Sequence, residues 1–220
     1  MDYLETLKEI FIEGHRYRYV FQGLGFSVGV TIFSAIFGVV FGILIALIRL
    51  SKFKYIAIGY IDLIRGTPAV VQLLILANII FAGFRDMPIF LIAGIAFGIN
   101  SSAYVAEIIR AGIEGLDKGQ SEAARALGMN YSLTMKEIII PQAIRKILPA
   151  LVSEFITLLK ETSIVGFIGG VDLLRSANII TSQTYRGVEP LLAVGLIYLI
   201  LVGIFTKIMR VVEKGLRASD

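Results

Sequence analysis

The chain has 220 residues, of which 56% are hydrophobic and only 17% are charged, with a mean hydropathy of +0.81. Soluble domains of this length have about a quarter of their residues charged, so the composition excludes an ordinary soluble protein. The chain has no cysteine and one histidine, which excludes disulfides and leaves no basis for a thiolate or histidine metal cluster. The net charge of +4 fits the loop bias of a membrane protein better than a nucleic-acid patch.

The first twenty residues are too polar to cross a membrane. Leu4, Leu7, Ile10 and Phe11 recur among them at helical spacing. This pattern predicts an amphipathic segment over residues 1–20 that lies on the membrane surface. Acidic residues occupy the region where a cleavable signal would be basic, so no signal peptide is predicted.

Five apolar stretches follow, each near the roughly 20 residues that a helix needs to cross a bilayer. They cover residues 21–48, 55–81, 89–109, 147–168 and 190–209. We therefore predict an all-α integral membrane protein with five transmembrane helices, formed by residues 1–220 as one domain. Pro68 predicts a kink or break in the second helix, and a short helix is predicted over residues 173–180.

Pairs of glycines four residues apart predict close helix packing within the bilayer. The pairs are Gly25/Gly29, Gly38/Gly42 and Gly94/Gly98. This spacing leaves a flat strip that a second helix can approach closely.

Polar residues in the second and third stretches need partners at membrane depth. Asp62 and Arg65 are spaced to pair on one helix face, and a structural ion pair is favoured over substrate contact. Asn100, Tyr104 and Glu107 share one face, which should point into the helix bundle. Asn100 either joins helices by hydrogen bonds or contacts a substrate.

The fourth stretch is the least apolar of the five. Its polar residues fall on one side of a helical wheel: Ser153, Glu154, Thr157, Lys160 and Glu161. Charged residues at membrane depth usually face a partner or a wet cavity, and the adjacent Lys160 and Glu161 do not face each other well. Some of their partners must therefore come from other helices or from a ligand.

A long polar segment, residues 110–149, separates the third and fourth stretches. Its centre, residues 122–127, consists of strong helix formers. Ser121 is a suitable N-cap residue, and Gly128 and Asn130 can end the helix in the left-handed conformation. A short capped helix on a polar loop predicts a docking element for a partner protein.

The spacing within this segment resembles the EAA loop of ABC-importer permeases. The matching positions are Glu122, Ala123, Ala124, Gly128, Ile138 and Pro141, with Ile140 where the family usually has leucine. Residues 65–72 and 159–164 resemble the second helix and the Lys-acidic-Thr-Ser segment of the polar amino-acid permeases, the histidine, arginine and glutamine type. The similarity extends from residues 23–31 of the first helix through residue 163.

The resemblance implies a permease subunit of a type I ABC importer in a prokaryotic inner membrane. Two permeases, identical or different, would form the path, two cytoplasmic ATPases would bind below, and an extracellular solute-binding protein would deliver a polar amino acid. The residues at the matching positions that would couple to the ATPase are Glu122, Ala123, Ala124, Gly128 and Pro141. The chain has no GxxxxGK[ST] loop, so ATP and Mg²⁺ would bind the ATPase, and this chain would carry no cofactor and no catalytic site.

We expect the polar faces of the third and fourth helices to form the substrate site. The candidates are Asn100, Glu154, Thr157, Lys160 and Glu161. Side chains of both charges could match an amino acid, which is charged at both ends of its backbone, and the excess of carboxylates favours a basic one such as arginine. Two alternatives stay open: an ion-coupled carrier using Glu107, Glu154 or Glu161, and a membrane scaffold that transports nothing.

Loop charges predict the orientation of the five helices. Residues 49–54, 110–148 and the carboxyl tail together carry 13 Lys and Arg, against 6 on the opposite side. Cytoplasmic loops are the more basic ones, so the polar loop and the C-terminus should be cytoplasmic and the N-terminus external.

Overall fold

The computed structural model describes residues 3–84 and 86–217, apart from several side chains near the carboxyl end. All regular elements in these residues are helical. The α-helices are α1 (Tyr3–Phe11), α2 (Tyr17–Arg49), α3 (Lys54–Arg65), α4 (Ala69–Ile75), α5 (Ile89–Glu114), α6 (Lys118–Ala126), α7 (Tyr131–Thr134), α8 (Ile140–Glu161), α9 (Leu173–Thr184) and α10 (Val188–Arg217). Two π-helical segments, Leu76–Ile80 and Met135–Ile139, and two 3-10 segments, Glu13–His15 and Thr162–Ile168, extend or join them.

Three helical segments in the described residues are long and apolar enough to cross a membrane. They are Glu13–Arg49, Ile89–Glu114 and Val188–Ile208, and the bent pair Lys54–Arg65 with Ala69–Ile80 makes a fourth if it forms one span. Each 18-residue window of α8 contains more than two charged residues, so composition alone does not mark α8 as a span. The total of five spans stays a prediction.

The predicted break at Pro68 is confirmed. Helix α3 ends at Arg65, Pro68 adopts an extended conformation, and α4 starts at Ala69. The two segments meet at an angle of 101°. The proline ring excludes a helical conformation of the preceding residue and removes one backbone donor.

Helices α2 and α5 pack closely through glycines. A Cβ atom on Gly42 would lie 2.6 Å from Cγ1 of Val105, and one on Gly98 would lie 2.6 Å from Cδ1 of Phe37. The predicted close contacts therefore exist at the pairs Gly38/Gly42 and Gly94/Gly98. A Cβ atom on Gly25 would meet no other atom of the described chain within 4 Å, so close packing at this residue, which lies on an open face of α2, stays a prediction.

The main core lies where α4, α5, α8 and the following 3-10 segment meet. Leu73, Phe97, Leu158 and Val165 are fully or almost fully buried there, together with Val30 of α2. This core fixes the side of α8 that carries Leu158.

Helix α5 continues to Glu114 and helix α8 begins at Ile140, so the connection between them is shorter than the predicted loop 110–149, and α8 begins before the predicted start of the fourth span at residue 147. Pro141 stands in the first turn of α8, where the missing amide donor costs nothing. Pro149 lies inside α8 without ending it.

The predicted short helix is confirmed as α9. Buried Asp172 caps it and accepts hydrogen bonds from the backbone N–H of Arg175 at 2.9 Å and of Gly166 at 2.8 Å. Burial raises the pKa of Asp172 above its ordinary value, and the backbone donors act in the opposite direction. The Ser27 hydroxyl accepts from the N–H of Leu173 at 3.1 Å, which joins α9 to α2.

Candidate functional site

The polar face of α8 turns away from the core of this chain. Thr157 and Lys160 are exposed, whereas Glu154 and Glu161 are half-buried. The Thr157 hydroxyl donates to the carbonyl of Ser153 at 3.0 Å. The exposed side chains are therefore available to groups outside the described chain.

Glu154 is the residue of this face that contacts a neighbouring helix. Its carboxylate accepts a hydrogen bond from the hydroxyl of Ser101 on α5 at 3.0 Å. The structure thus joins α5 and α8 through one carboxylate, and sequence periodicity gave no sign of Ser101.

Arg65 does not pair with Asp62, so the predicted ion pair is wrong. The guanidinium of Arg65 lies 5.3 Å from the ring centroid of Tyr104 on α5. An exposed pair of charges on one helix stabilises it by only a few tenths of a kcal/mol, which the aromatic face can match. Arg65 is therefore exposed and contacts α5 through Tyr104.

Asn100 is buried, and its amide is used within the chain. Its Nδ2 donates to Oε1 of Gln72 at 2.9 Å. Nε2 of Gln72 donates in turn to the carbonyls of Ile64 at 2.6 Å and Thr67 at 3.1 Å. These carbonyls lie at the break between α3 and α4, so Gln72 joins the two halves of the broken helix and Asn100 orients Gln72.

Glu107 also has a partner within the chain. It accepts from Nε of Arg110 at 3.0 Å, and Arg110 also bonds Glu114. Its negative charge is therefore compensated on α5 itself, away from Asn100.

The polar loop contains the predicted helix, but the helix begins earlier than predicted. Asp117, not Ser121, is the N-cap residue of α6, and its carboxylate accepts from the N–H of Gly119 at 2.9 Å. Asp and Ser are comparable capping residues, and the earlier one adds just over one turn of helix. Gly128 ends the helix at φ +86°, as predicted. Asn130 instead caps α7, so its predicted role was wrong.

The residues predicted to couple to an ATPase divide into two groups. Ala124 lies on the buried face of α6. The other four residues are exposed: Glu122, Ala123, Gly128 and Pro141. Two large apolar side chains that the motif did not indicate are also exposed: Leu127 at 84% and Tyr131 at 74%. Exposed apolar groups on a polar loop are typical of a surface that a partner covers.

Residues 38–218 match the family described as the binding-protein-dependent transport system inner membrane component. The chain belongs to this family. The predicted resemblance to amino-acid ABC permeases is confirmed, and the chain is a membrane permease of the ABC transporter class.

Relatives with similar sequences are named amino acid permeases. The arginine transport system permease protein ArtQ of Bacillus subtilis (strain 168) is 44% identical over 92% of this chain and 94% of its own length. The putative glutamine transport system permease protein GlnP of Rickettsia bellii (strain RML369-C) is 39% identical over 91% of this chain and 94% of its own length.

Solved structures agree with this assignment. A chain of an amino acid ABC transporter crystallised with histidines has a TM-score of 0.87 and 43% identity, and the match covers 97% of this permease and 98% of that chain. A chain of the inward-facing MetNI methionine ABC transporter has a TM-score of 0.71 and 17% identity, and the match covers 93% of this permease and 97% of that chain. The second match shows that the fold is shared at low sequence identity.

Proposed function

We propose that this permease forms the translocation path of an ATP-driven importer for polar amino acids, with a basic amino acid such as arginine as the first candidate. The observation that carries the proposal is the polar face of α8, where exposed Thr157 and Lys160 adjoin half-buried Glu154 and Glu161. The name of the relative ArtQ, a permease for arginine, supports the substrate class.

In this proposal the polar face recognises the charges of the substrate. Glu154 and Glu161 accept hydrogen bonds from its cationic groups, and Lys160 donates to its carboxylate. Thr157 contributes a neutral hydroxyl. Asn100 acts in the same site by holding Gln72 and the break between α3 and α4, which lies beside Arg65.

The remaining parts of the importer are partners of this chain. We infer five membrane-spanning helices, with the bent α3–α4 pair and α8 each crossing once, and α6 on the cytoplasmic side. A second permease subunit completes the path, and a solute-binding protein supplies the amino acid from outside. Two ATPase subunits bind ATP and Mg²⁺, contact α6, and drive alternating access.

Uptake by vesicles that contain the whole complex tests the proposal. Labelled arginine, histidine, glutamine and glutamate are offered with the solute-binding protein outside and ATP inside. We expect uptake to depend on ATP and to be fastest for arginine. Uptake that persists without the ATPase would identify an ion-coupled carrier, and no uptake of any solute would support a scaffold.

A further inference from the structure

An apolar groove of about 320 Å³ runs between α2, α5 and α8. Every side chain that lines it is aliphatic, including Leu47 on α2, Ile109 on α5 and Ile144 on α8. Leu47 is 60% exposed and Ile144 is 50% exposed. The groove is therefore open along its length.

The groove lies on a different side of α5 from Asn100 and Tyr104. Val105 and Ile109 line it, and at 100° per residue they project away from Asn100 and Tyr104. A groove that is wholly apolar on this side suits a hydrocarbon chain and offers an amino acid no hydrogen bonds.

One end of the groove is positively charged. Leu50 and Ile113 line this end. Exposed Lys52 follows Leu50 closely in the chain. The ammonium group of Lys146 donates to the carbonyl of Gly115, two residues beyond Ile113.

The basic residues near this end outnumber the acidic ones. Arg49, Lys52, Lys54 and Lys146 lie near the ends of α2, α3 and α8, against Asp117, which caps α6, and Glu114, which shares Arg110 with Glu107. Lys52 and Lys146 form no ion pair with any described residue. Basic pockets between membrane helices are suited to anionic lipid headgroups.

We propose that this groove binds an acyl chain of an anionic phospholipid whose phosphate lies at Lys52 and Lys146. The lipid seals the seam between α2, α5 and α8 at the end nearest the polar loop. The site does not depend on which amino acid is transported.

The absence of tryptophan in the chain allows a direct test. The full chain with Leu47→Trp, or separately Ile144→Trp, is placed in phosphatidylcholine vesicles that contain brominated phosphatidylglycerol or brominated phosphatidylcholine. Bromine quenches tryptophan on contact. Leu199→Trp on exposed α10 provides the matched control at a surface outside the groove.

At both groove positions, we expect quenching to show that brominated phosphatidylglycerol binds at least about fivefold more tightly than brominated phosphatidylcholine. This ratio corresponds to the attraction that one lysine near the membrane surface contributes. Lys52→Gln with Lys146→Gln should reduce the preference to that of the Leu199→Trp control, and Lys146→Arg should preserve it. Equal quenching by both lipids at the groove would overturn the proposal. So would quenching by neither, because a polypeptide would then cover the groove.

Discussion

The carboxylate of Glu154 is held by a hydrogen bond and also lies beside the exposed polar side chains of α8. Ser101 holds it from α5, and it adjoins exposed Thr157 across one turn of α8. A carboxylate in this position can bind a cation that arrives from outside the chain while keeping its bond to Ser101. In the proposed site, this geometry would let Glu154 select for substrate charge.

We predict that Glu154→Gln weakens recognition of a basic amino acid. Glutamine keeps the shape and an acceptor for Ser101 but removes the charge, and a hydrogen bond to a charged group contributes about 1.5–3 kcal/mol. The KM for arginine uptake should rise by at least about tenfold. Glu137→Gln on the polar loop is the matched control, and an unchanged KM in Glu154→Gln would remove Glu154 from the site.

Leu127 is the most exposed large apolar side chain of the proposed ATPase-binding surface. Because an apolar side chain at 84% exposure has few partners of its own, we predict that Leu127→Ala leaves the fold intact and weakens binding of the ATPase subunit. Truncation of an interface anchor costs about 2 kcal/mol, or more than tenfold in Kd.

Copurification of the ATPase at graded salt and direct titration measure this effect. Leu133→Ala, in the neighbouring α7, is the control because Leu133 is only 44% exposed. Equal loss in both variants would show general damage to the loop, and no loss in Leu127→Ala would contradict an anchor at this residue.

At the scale of elements, the break between α3 and α4 depends on a residue of another helix. Gln72 bonds the carbonyls that the break leaves without helical partners, and Asn100 holds Gln72 from α5. A double-mutant cycle with Gln72→Ala and Asn100→Ala should therefore give a coupling of about 1 kcal/mol in resistance to unfolding by detergent.

The same cycle distinguishes the two roles of Asn100. If Asn100 acts through Gln72, Asn100→Ala should change the KM for uptake no further once Gln72 is alanine. If Asn100 contacts the substrate directly, the two effects on KM should add. Additive effects on both stability and KM would contradict the positioning role.

The close packing of α2 on α5 gives a second prediction at this scale. In Gly42→Ala the new methyl group would lie 2.6 Å from Val105 and 3.1 Å from the carbonyl of Ser102. Overpacking of this kind costs about 1–3 kcal/mol. Detergent-induced unfolding should show that Gly42→Ala lowers the free energy of unfolding. The double variant Gly42→Ala, Val105→Ala should recover part of this stability.

Gly25→Ala is the control because it lies in the same helix with open space around it. Alanine there should be neutral or stabilise the helix by up to about 1 kcal/mol. Equal destabilisation by both substitutions would show that close packing at Gly42 is not the cause.

The sequence pattern is reliable where one residue decides the local backbone. Pro68 predicts the break and Gly128 predicts the end of α6, because each imposes its own conformation. Asp117 and Ser121 compete as comparable caps, so local preference cannot place the start of α6.

Contacts between distant helices are harder to predict from the sequence. Gln72 and Asn100 are 28 residues apart, and Arg65 meets Tyr104 instead of its helical neighbour. Periodicity shows which face a residue occupies but not which helix lies opposite. The polar face of α8 was therefore predictable, whereas the bond from Ser101 to Glu154 was not.

At the scale of the whole molecule, α8 determines how the chain crosses the membrane. It carries five charged residues, yet its buried side contributes Leu158 to the core shared with α4 and α5. If α8 crosses, the loop before it and the loop after it lie on opposite sides. The proposed path and the proposed ATPase contact both require that arrangement.

The absence of native cysteine makes the arrangement measurable with single thiols. Ser51, Ala82, Ser132 and Ser182 are exposed and lie in or next to four successive connections between the proposed spans. Each is replaced by cysteine and treated in intact cells with a membrane-impermeant maleimide. We predict that Ala82→Cys and Ser182→Cys react from outside, whereas Ser51→Cys and Ser132→Cys react only after the membrane is opened, because the basic loops remain cytoplasmic. Labelling of Ser132→Cys and Ser182→Cys from the same side would show that α8 does not cross, and reversal of all four would place α6 where no cytoplasmic ATPase could reach it.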